Sequence, residues 1–349
     1  MTHAQMKRTM AEAIVRRSFY EIQKDPKRAI RNLVDLGRET AGGQLQQKFL
    51  GMAQQILKRT DSPYYTLIQN TVQSVDEERL LTFGMNFGWN SLTQGAKQIR
   101  DEEAKLGFNI PWSLTLHLEN HPENLSGGEY LRLILVGIEL GIYSYFLLPK
   151  DIQSVKLSLE LAAANRNCAF CLLLPEKLQE KHKQELAQCT LCPNTLVGIN
   201  SCSPDWTKQT QWLKNRRYPY LIYRTYAADE DVDDIVSGRW ADSILPYAGI
   251  AALLIAQGGT DLRGDSQIYS YALESRLGQR YPTLILDFYQ DNLYMDVCIS
   301  GDPCFLGVLP DGRVTEYRQG RETPADDSIR TSSLAELLRH FPKQRMEPD

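Results

Sequence analysis

From residue 81 onwards, short apolar runs alternate with longer amphipathic segments, and this alternation restricts the chain to α/β architecture. The predicted strands are Ser113–Leu118, Tyr143–Leu148, Ala169–Leu174, Thr195–Asn200, Tyr220–Thr225 and Ala251–Ala256. The helices predicted between them are Gly127–Gly141, Ile152–Asn165, Pro175–Gln188, Ser203–Asn215 and Asp231–Pro246. Because crossovers between parallel strands are right-handed, this order predicts a partial (β/α)6 barrel.

The residues on either side of the alternation indicate two further regions. Residues 1–80 show helical apolar spacing, broken at Asp25-Pro26 and Gly42-Gly43, and predict a helical N-terminal extension. Residues 266–349 predict a helix, short strands at Leu284–Phe288, Phe305–Val308 and Val314–Tyr317 with a turn at Pro310–Arg313, and a final amphipathic helix, which together make a small α+β region. The barrel itself is expected to occupy residues 81–265.

Composition excludes several classes of protein. A net charge of −4 argues against nucleic-acid binding, which is usually associated with a basic balance. No run approaches the roughly 20 apolar residues that cross a bilayer, and the N-terminus lacks the apolar run of a secretory signal. Seven cysteines, an odd number, do not indicate a disulfide framework. We therefore expect a cytoplasmic protein with reduced thiols that binds neither nucleic acid nor membrane.

Several segments, taken in order and spacing, resemble the radical S-adenosylmethionine (SAM) superfamily. Asn86–Trp112 resembles that family's approach to the first barrel strand, and Leu125–Tyr143 resembles its first crossover helix and second strand. Asn167–Phe170 resembles its third strand, and parts of Asp287–Gly312 resemble its C-terminal segment. The resemblance implies a radical-SAM-like partial barrel in which the region after residue 265 is an auxiliary-like region.

The motifs that carry the chemistry of that family are missing from this chain. Its Cys-x3-Cys-x2-Cys loop should follow the first strand, where this chain continues into Glu119–Glu123 without a cysteine. Its Gly-Gly-Glu-Pro segment is replaced by Phe146–Lys150. A [4Fe–4S] cluster needs thiolate ligands. The departures therefore predict no iron–sulfur cluster, no SAM site, no catalytic residues and no cofactor.

Five residues are candidates for a polar pocket at the barrel mouth. If the first strand continues, His117, Glu119 and His121 share one face, and two imidazoles with a carboxylate can hold a divalent metal. Pro122 interrupts such a strand, so a polar strand end is the simpler interpretation. Asn200 and Arg224 are expected to face the same mouth, because barrel folds bind ligands there.

Two cysteine pairs have the spacing of a four-cysteine zinc site: Cys168, Cys171, Cys189 and Cys192. Cys168 and Cys171 stand three residues apart at the start of an apolar strand, where such positions point to opposite faces. We interpret these cysteines as structural, with a zinc site as the alternative.

A retained scaffold without its cofactor motifs predicts a non-catalytic, radical-SAM-like pseudoenzyme. It would act as a partner or scaffold for another protein, either an intact radical SAM homologue or the substrate of one, or it would form a homo-oligomer. The helical extension or an open barrel edge would supply the binding surface. The alternatives are an enzyme with substituted metal chemistry at His117, Glu119 and His121, and a small-molecule-binding protein that uses the former SAM pocket.

Overall fold

The computed structural model describes residues 3–40, 43–177, 192–227, 229–257, 262–318 and 321–343. Within them, a helical N-terminal part precedes a mixed β-sheet whose strands alternate with helices. Most of the predicted helix Pro175–Gln188 and Cys189 of the proposed zinc set lie outside the described residues.

The N-terminal part is helical, as its apolar spacing predicts. Prolines open the second and fourth helices, where the missing amide hydrogen costs no helical hydrogen bond. Phe19, Ile22, Ile30 and Tyr65 are buried together in a core of their own. The helices are α1 (His3–Lys24), α2 (Pro26–Thr40), α3 (Gln44–Ile56), α4 (Pro63–Ser74) and α5 (Glu77–Gly84). A π-helical segment, Met85–Gly95, then leads into α6 (Ala96–Leu106) and from there to the sheet.

A ten-stranded mixed sheet forms the centre of the molecule and confirms the α/β class. Its strands are β1 (Ser113–Leu118), β2 (Ser144–Pro149), β3 (Ala169–Leu173), β4 (Thr195–Asn200), β5 (Tyr220–Tyr226), β6 (Ala251–Ala256), β7 (Leu284–Asp287), β8 (Leu306–Val308), β9 (Arg313–Arg318) and β10 (Arg321–Ser328). The order is β10-β9-β8-β1-β2-β3-β4-β5-β6-β7, and only the pairs β8–β9 and β9–β10 are antiparallel.

The sheet is larger than the six strands of the predicted barrel. The strands β1 to β6 match the predicted runs closely, but β7 adds a parallel strand beside β6 and β8 adds another beside β1. The C-terminal residues thus contribute β7 to β10 to the same sheet. One sheet therefore contains strands from both the predicted barrel region, residues 81–265, and the predicted C-terminal region, residues 266–349.

In the described part of the chain, eight helices follow or connect the strands, and one of them, Phe288–Ser300, also contributes side chains to the inner face of the sheet. They are α7 (Gly127–Leu140), α8 (Ile152–Ala164), α9 (Trp206–Asn215), α10 (Asp229–Val236), α11 (Arg239–Ile244), α12 (Leu262–Leu277), α13 (Phe288–Ser300) and α14 (Leu334–Leu338). Ser126 and Glu129 form a capping box at the N-terminus of α7. The predicted helix Asp231–Pro246 is in fact two helices, because Gly238 between them has a φ of 86° that a continuous helix does not allow.

The inner face of the sheet curls around an inner core. Leu173, Tyr223 and Leu253 from successive strands pack there with Phe288 and Tyr289, which directly follow β7. The Tyr289 ring stacks on Tyr317 of β9, with centroids 4.9 Å apart. Since β7 and β10 are the two edges of the sheet, contact between Tyr289 and β9 means that the sheet is curled until its edges nearly meet.

Aromatic rings fill the space inside the curled sheet around Phe146. Trp112 lies edge-on to Phe146 with centroids 6.3 Å apart, and Phe146 lies edge-on to Phe288 at 5.0 Å. The interior is therefore packed at this level, as barrel interiors are. No helix among the described residues is long and apolar enough to cross a bilayer.

Candidate functional site

A cavity of about 410 Å³ lies at the carboxyl ends of the parallel strands. This is the end at which barrel folds bind their ligands. Its apolar wall includes Leu148, Leu173, Tyr223, Ile255, Tyr289 and Leu309. Its polar groups include His117 from β1, Thr315 from β9 and Glu322 from β10. We call this space the mouth cavity.

Glu322 is the most heavily hydrogen-bonded group of the mouth cavity. The Nε2 atom of His117 lies 2.8 Å from its Oε1 atom, the hydroxyl of Tyr289 donates to Oε2 at 3.0 Å, and Thr315 Oγ1 donates to Oε1. The Glu322 side chain is only 11% exposed. A Cβ added at Gly307 of β8 would overlap both Thr315 Oγ1 and Glu322 Oε1. Glycine at position 307 therefore makes room for this carboxylate.

The partners of Glu322 keep it ionised. Burial by itself would raise the pKa of this carboxyl group, but the charge of His117 and the hydrogen bonds from His117, Thr315 and Tyr289 outweigh burial and lower the pKa. Burial and the neighbouring Glu322 charge raise the pKa of Tyr289, so its hydroxyl keeps the proton that it donates. The result is a buried carboxylate with a donor at each oxygen.

The ionised state of Glu322 determines the tautomer of His117. A carboxylate can only accept hydrogen bonds, so the Nε2 atom of His117 carries the proton of this contact. In a neutral imidazole the Nδ1 atom then carries a lone pair. The strand end is held in place by Tyr130, whose hydroxyl donates to the His117 carbonyl oxygen at 2.7 Å.

The structure does not bring the other two members of the proposed metal set to His117. The strand β1 ends at Leu118, so the alternation that would place three side chains on one face stops there. Glu119 pairs instead with Lys150 at 2.9 Å, and His121 Nδ1 accepts from the Glu123 amide at 3.3 Å within the following turn. Over the described ranges, no group of three or more His, Cys, Asp or Glu side chains is arranged to hold a metal ion.

Asn200 and Arg224 lie on opposite faces of the sheet. Asn200 is buried at the end of β4, where its Oδ1 accepts from the Cys202 amide at 2.8 Å. Arg224 points to the helix-covered face, because Tyr223 and Thr225 on either side of it line the mouth cavity. Its guanidinium binds Asp231 at 2.8 Å and also Asp234, both on α10. Arg224 is therefore not a residue of the mouth cavity.

The cysteines of the proposed zinc site are separated by the sheet. Cys168 belongs to the core under the helices, whereas Cys171 belongs to the inner core. Burial raises the pKa of both thiols to about 12. Cys192 is buried and its Sγ donates to the Leu159 carbonyl oxygen at 3.5 Å. These three described cysteines are thus placed as small core residues.

The residues at the mouth do not fit the iron–sulfur cluster or the SAM that the resemblance implies. The connection from β1 to α7, residues 119–126, contains no cysteine. Cys168 and Cys171 are buried on opposite faces of the sheet, so they do not converge on one cluster either. Phe146 and Leu148, which lie in the segment that replaces Gly-Gly-Glu-Pro, pack against the inner core.

Glu322, Thr315 and Tyr289 were missed by sequence reasoning. The segment Arg321–Ser328 is polar and contains Pro324, so its composition does not indicate the strand β10 that it forms. The sequence contains one signal for this strand. Gly320 comes shortly after the predicted strand Val314–Tyr317, and a glycine in that position is typical of a hairpin turn.

The described site belongs to an α/β protein with a ligand-sized cavity at the mouth of a curled sheet. No protein-family model and no curated protein matches the sequence. Among solved structures, SuiB of Streptococcus suis bound to S-adenosylmethionine is similar at a TM-score of 0.47 and 9% identity, over 70% of this chain and 67% of that chain. A second structure of SuiB is similar at a TM-score of 0.48 and 9% identity, over 70% of this chain and 69% of that chain. A member of the enolase superfamily from Listeria innocua is similar at a TM-score of 0.33 and 15% identity, over 84% of this chain and 82% of that chain. All these TM-scores lie below 0.5, so function is inferred from the residues of this chain alone.

Proposed function

We propose that this chain is a non-catalytic, radical-SAM-like protein that acts as a partner or scaffold for another protein. The partner would be an intact radical SAM homologue or the substrate of one, in the cytoplasm, where the thiols stay reduced. The placement of Cys168 and Cys171 on opposite faces of the sheet supports the absence of a cluster. The observation that carries the proposal is the exposure of large apolar side chains on the N-terminal helices.

These exposed side chains are concentrated at the start of the chain. Six of the fourteen exposed large apolar side chains among the described residues lie on α1, α2 and α3. They are Met6, Met10, Tyr20, Leu36, Phe49 and Met52, with exposures from 38% to 61%. Exposed apolar residues that recur on a few neighbouring elements favour a protein interface. The helical extension is therefore the proposed partner surface.

Co-expression with an intact radical SAM homologue from the same genome tests this proposal. Phe49 and Met52 are three residues apart and share one face of α3, so we expect Phe49→Ser with Met52→Ser to abolish co-purification. The matched control is Leu277→Ser at the end of α12, where an apolar side chain is 59% exposed, and this variant should keep the complex. Light scattering measures the mass of each sample. A complex that survives the double substitution, or a pair that never associates, contradicts the proposal, and a doubled mass without the homologue indicates a homo-oligomer.

A second candidate function is small-molecule binding in the mouth cavity. It is favoured by one observation, namely that a buried, fully hydrogen-bonded carboxylate orients His117 inside a cavity of about 410 Å³. The metal-dependent alternative has less support, because Glu119 and His121 have other partners. Elemental analysis of the purified protein tests it, since a bound transition metal lost in His117→Ala would favour that alternative.

A further inference from the structure

In the mouth cavity, His117 presents a ring nitrogen beside a carboxylate that is already hydrogen-bonded. Glu322 receives hydrogen bonds from His117, Thr315 and Tyr289, so its oxygens are already occupied. His117 lines the cavity, and within the described ranges the Nδ1 atom of its ring has no hydrogen-bond partner. In the neutral form of the ring, the Nε2 atom carries the proton of the Glu322 contact, so the Nδ1 atom accepts and does not donate. A ligand that uses this group must bring a donor.

The charges around the cavity narrow the choice of donor. An ammonium group is disfavoured, because Lys150 and Arg321 line the same cavity and the Glu322 charge is already balanced by its donors. An ionised carboxylate has no proton to donate. A neutral hydroxyl group satisfies both conditions. The ligand's remaining surface must be apolar, since Leu148, Leu173 and Ile255 form the walls.

We propose that the mouth cavity binds a small phenol or a comparable cyclic alcohol whose hydroxyl donates to Nδ1 of His117 while its ring packs against Leu148, Leu173 and Ile255. This inference rests on the second candidate function and not on the partner surface. Tyr223 and Tyr289, which also line the cavity, add aromatic faces against which a ring packs. Glu322 is a positioning residue, since it acts through His117.

A pair of probes that differ only in the donor tests this assignment. The probes are 4-fluorophenol, which is neutral at pH 7, and 4-fluoroanisole, in which a methyl group replaces the hydroxyl proton. One hydrogen bond is worth about 0.5–1.5 kcal/mol, so we expect the phenol to bind about three- to tenfold more tightly by fluorine NMR titration. Equal affinities, or no binding of either probe, would overturn the proposal.

Two variants assign the difference to His117. His117→Ala should bind 4-fluorophenol and 4-fluoroanisole with about equal affinity. His121→Ala, which changes a histidine in the turn after β1, should still bind the phenol more tightly. Circular dichroism melting shows whether each variant is folded. A preference that persists in folded His117→Ala refutes the assignment.

The nitrogen spectrum of the unmodified protein gives a test that needs no folded variant. We expect the imidazole ¹⁵N shifts of His117 to show a protonated Nε2 and an unprotonated Nδ1, with Nδ1 moving when 4-fluorophenol is added. A proton on Nδ1 in the free protein would refute the proposal. Failure of these tests leaves the partner proposal intact, because that proposal concerns α1 to α3.

Discussion

Two buried carboxyl groups near the carboxyl ends of the strands, Glu322 and Asp287, respond to burial in opposite ways. Glu322 has a lowered pKa, although burial acts to raise it. Asp287 is 3% exposed, and burial, with the neighbouring charges of Asp291 and Asp265, raises its pKa to about 7. Backbone amides, including that of Gln290, donate to Asp287, but within the described residues no histidine donates to it as His117 donates to Glu322. The comparison teaches that the partners, and not the depth of burial, decide which carboxyl is charged.

Removing the Glu322 carboxylate should have the largest effect on stability. Glu322→Ala leaves the His117, Thr315 and Tyr289 donors without an acceptor, so we expect a loss of about 3–5 kcal/mol in the free energy of unfolding. Urea denaturation at pH 7 measures it. Glu322→Gln keeps the shape of the side chain and should cost less. A loss below about 1 kcal/mol in the alanine variant would show that the three hydrogen bonds to Glu322 contribute little to stability.

The pH dependence of stability should separate the two carboxyl groups. The raised pKa of Asp287 means that the folded protein binds a proton there that the unfolded chain has released, so stability should fall as pH rises from about 4 to about 7. We expect a decrease on the order of 2–3 kcal/mol, which Asp287→Asn should remove. Glu322 has the opposite sign, since its stabilisation is present above the ordinary glutamate pKa and is lost as pH falls below it.

Denaturation curves between pH 3 and pH 8 provide the measurement. Asn is a suitable replacement because it can still cap α13, as Asp287 does through the Gln290 amide. Parallel pH profiles for wild type and Asp287→Asn would show that Asp287 titrates normally, and the contrast with Glu322 would then fail.

A methyl group at position 307 should disturb one carboxyl group and leave the other unchanged. Gly307→Ala places a Cβ against Thr315 Oγ1 and Glu322 Oε1, so we expect a loss of about 1–3 kcal/mol from overpacking. The control is Gly301→Ala at the end of α13, where φ is 99° but a Cβ meets no atom, so its cost comes only from the backbone. The ¹⁵N shifts of His117 should change in Gly307→Ala alone.

The smallest effects should come from removing a single donor from each carboxyl group. Thr315→Val deletes a close donor to Glu322 and should cost about 1–2 kcal/mol. Tyr226→Phe deletes a hydroxyl that lies 3.5 Å from Asp287 Oδ2 and should cost about 0.5–1 kcal/mol. Thermal unfolding of both variants checks the order, and the reverse order would mean that the long contact at Asp287 is the stronger one.

The parallel part of the fold was predictable from local pattern, and the closure of the sheet was not. β1 to β6 are short apolar runs bounded by polar residues, so their positions follow from the sequence to within about a residue at each end. Ser237-Gly238 is a turn signal inside the predicted helix Asp231–Pro246, and the helix breaks there. β10 is polar because it lies at the edge of the sheet, and its pairing with β9 depends on register and not on hydrophobicity.

The site was predictable only in part for the same reason. His117 was found because it ends an apolar strand, and that position decides which end of the sheet it occupies. Glu322 was not found, because nothing in its neighbourhood indicates that it meets a residue 205 positions earlier. Arg224 is near the end of a predicted strand, but neighbouring residues along a strand point to opposite faces, and Tyr223 and Thr225 are the ones that line the cavity.

The separation between His117 and Glu322 has a consequence for the synthesis of this protein on the ribosome. Translation delivers β1 to β7 well before β10, so the helices can cover one face of the nascent sheet while the mouth still lacks its carboxylate. A chain released early would keep most of its parallel strands yet leave His117 without the group that orients it. A mouth cavity in which Glu322 contacts His117 therefore forms only after ribosomal synthesis has passed residue 322.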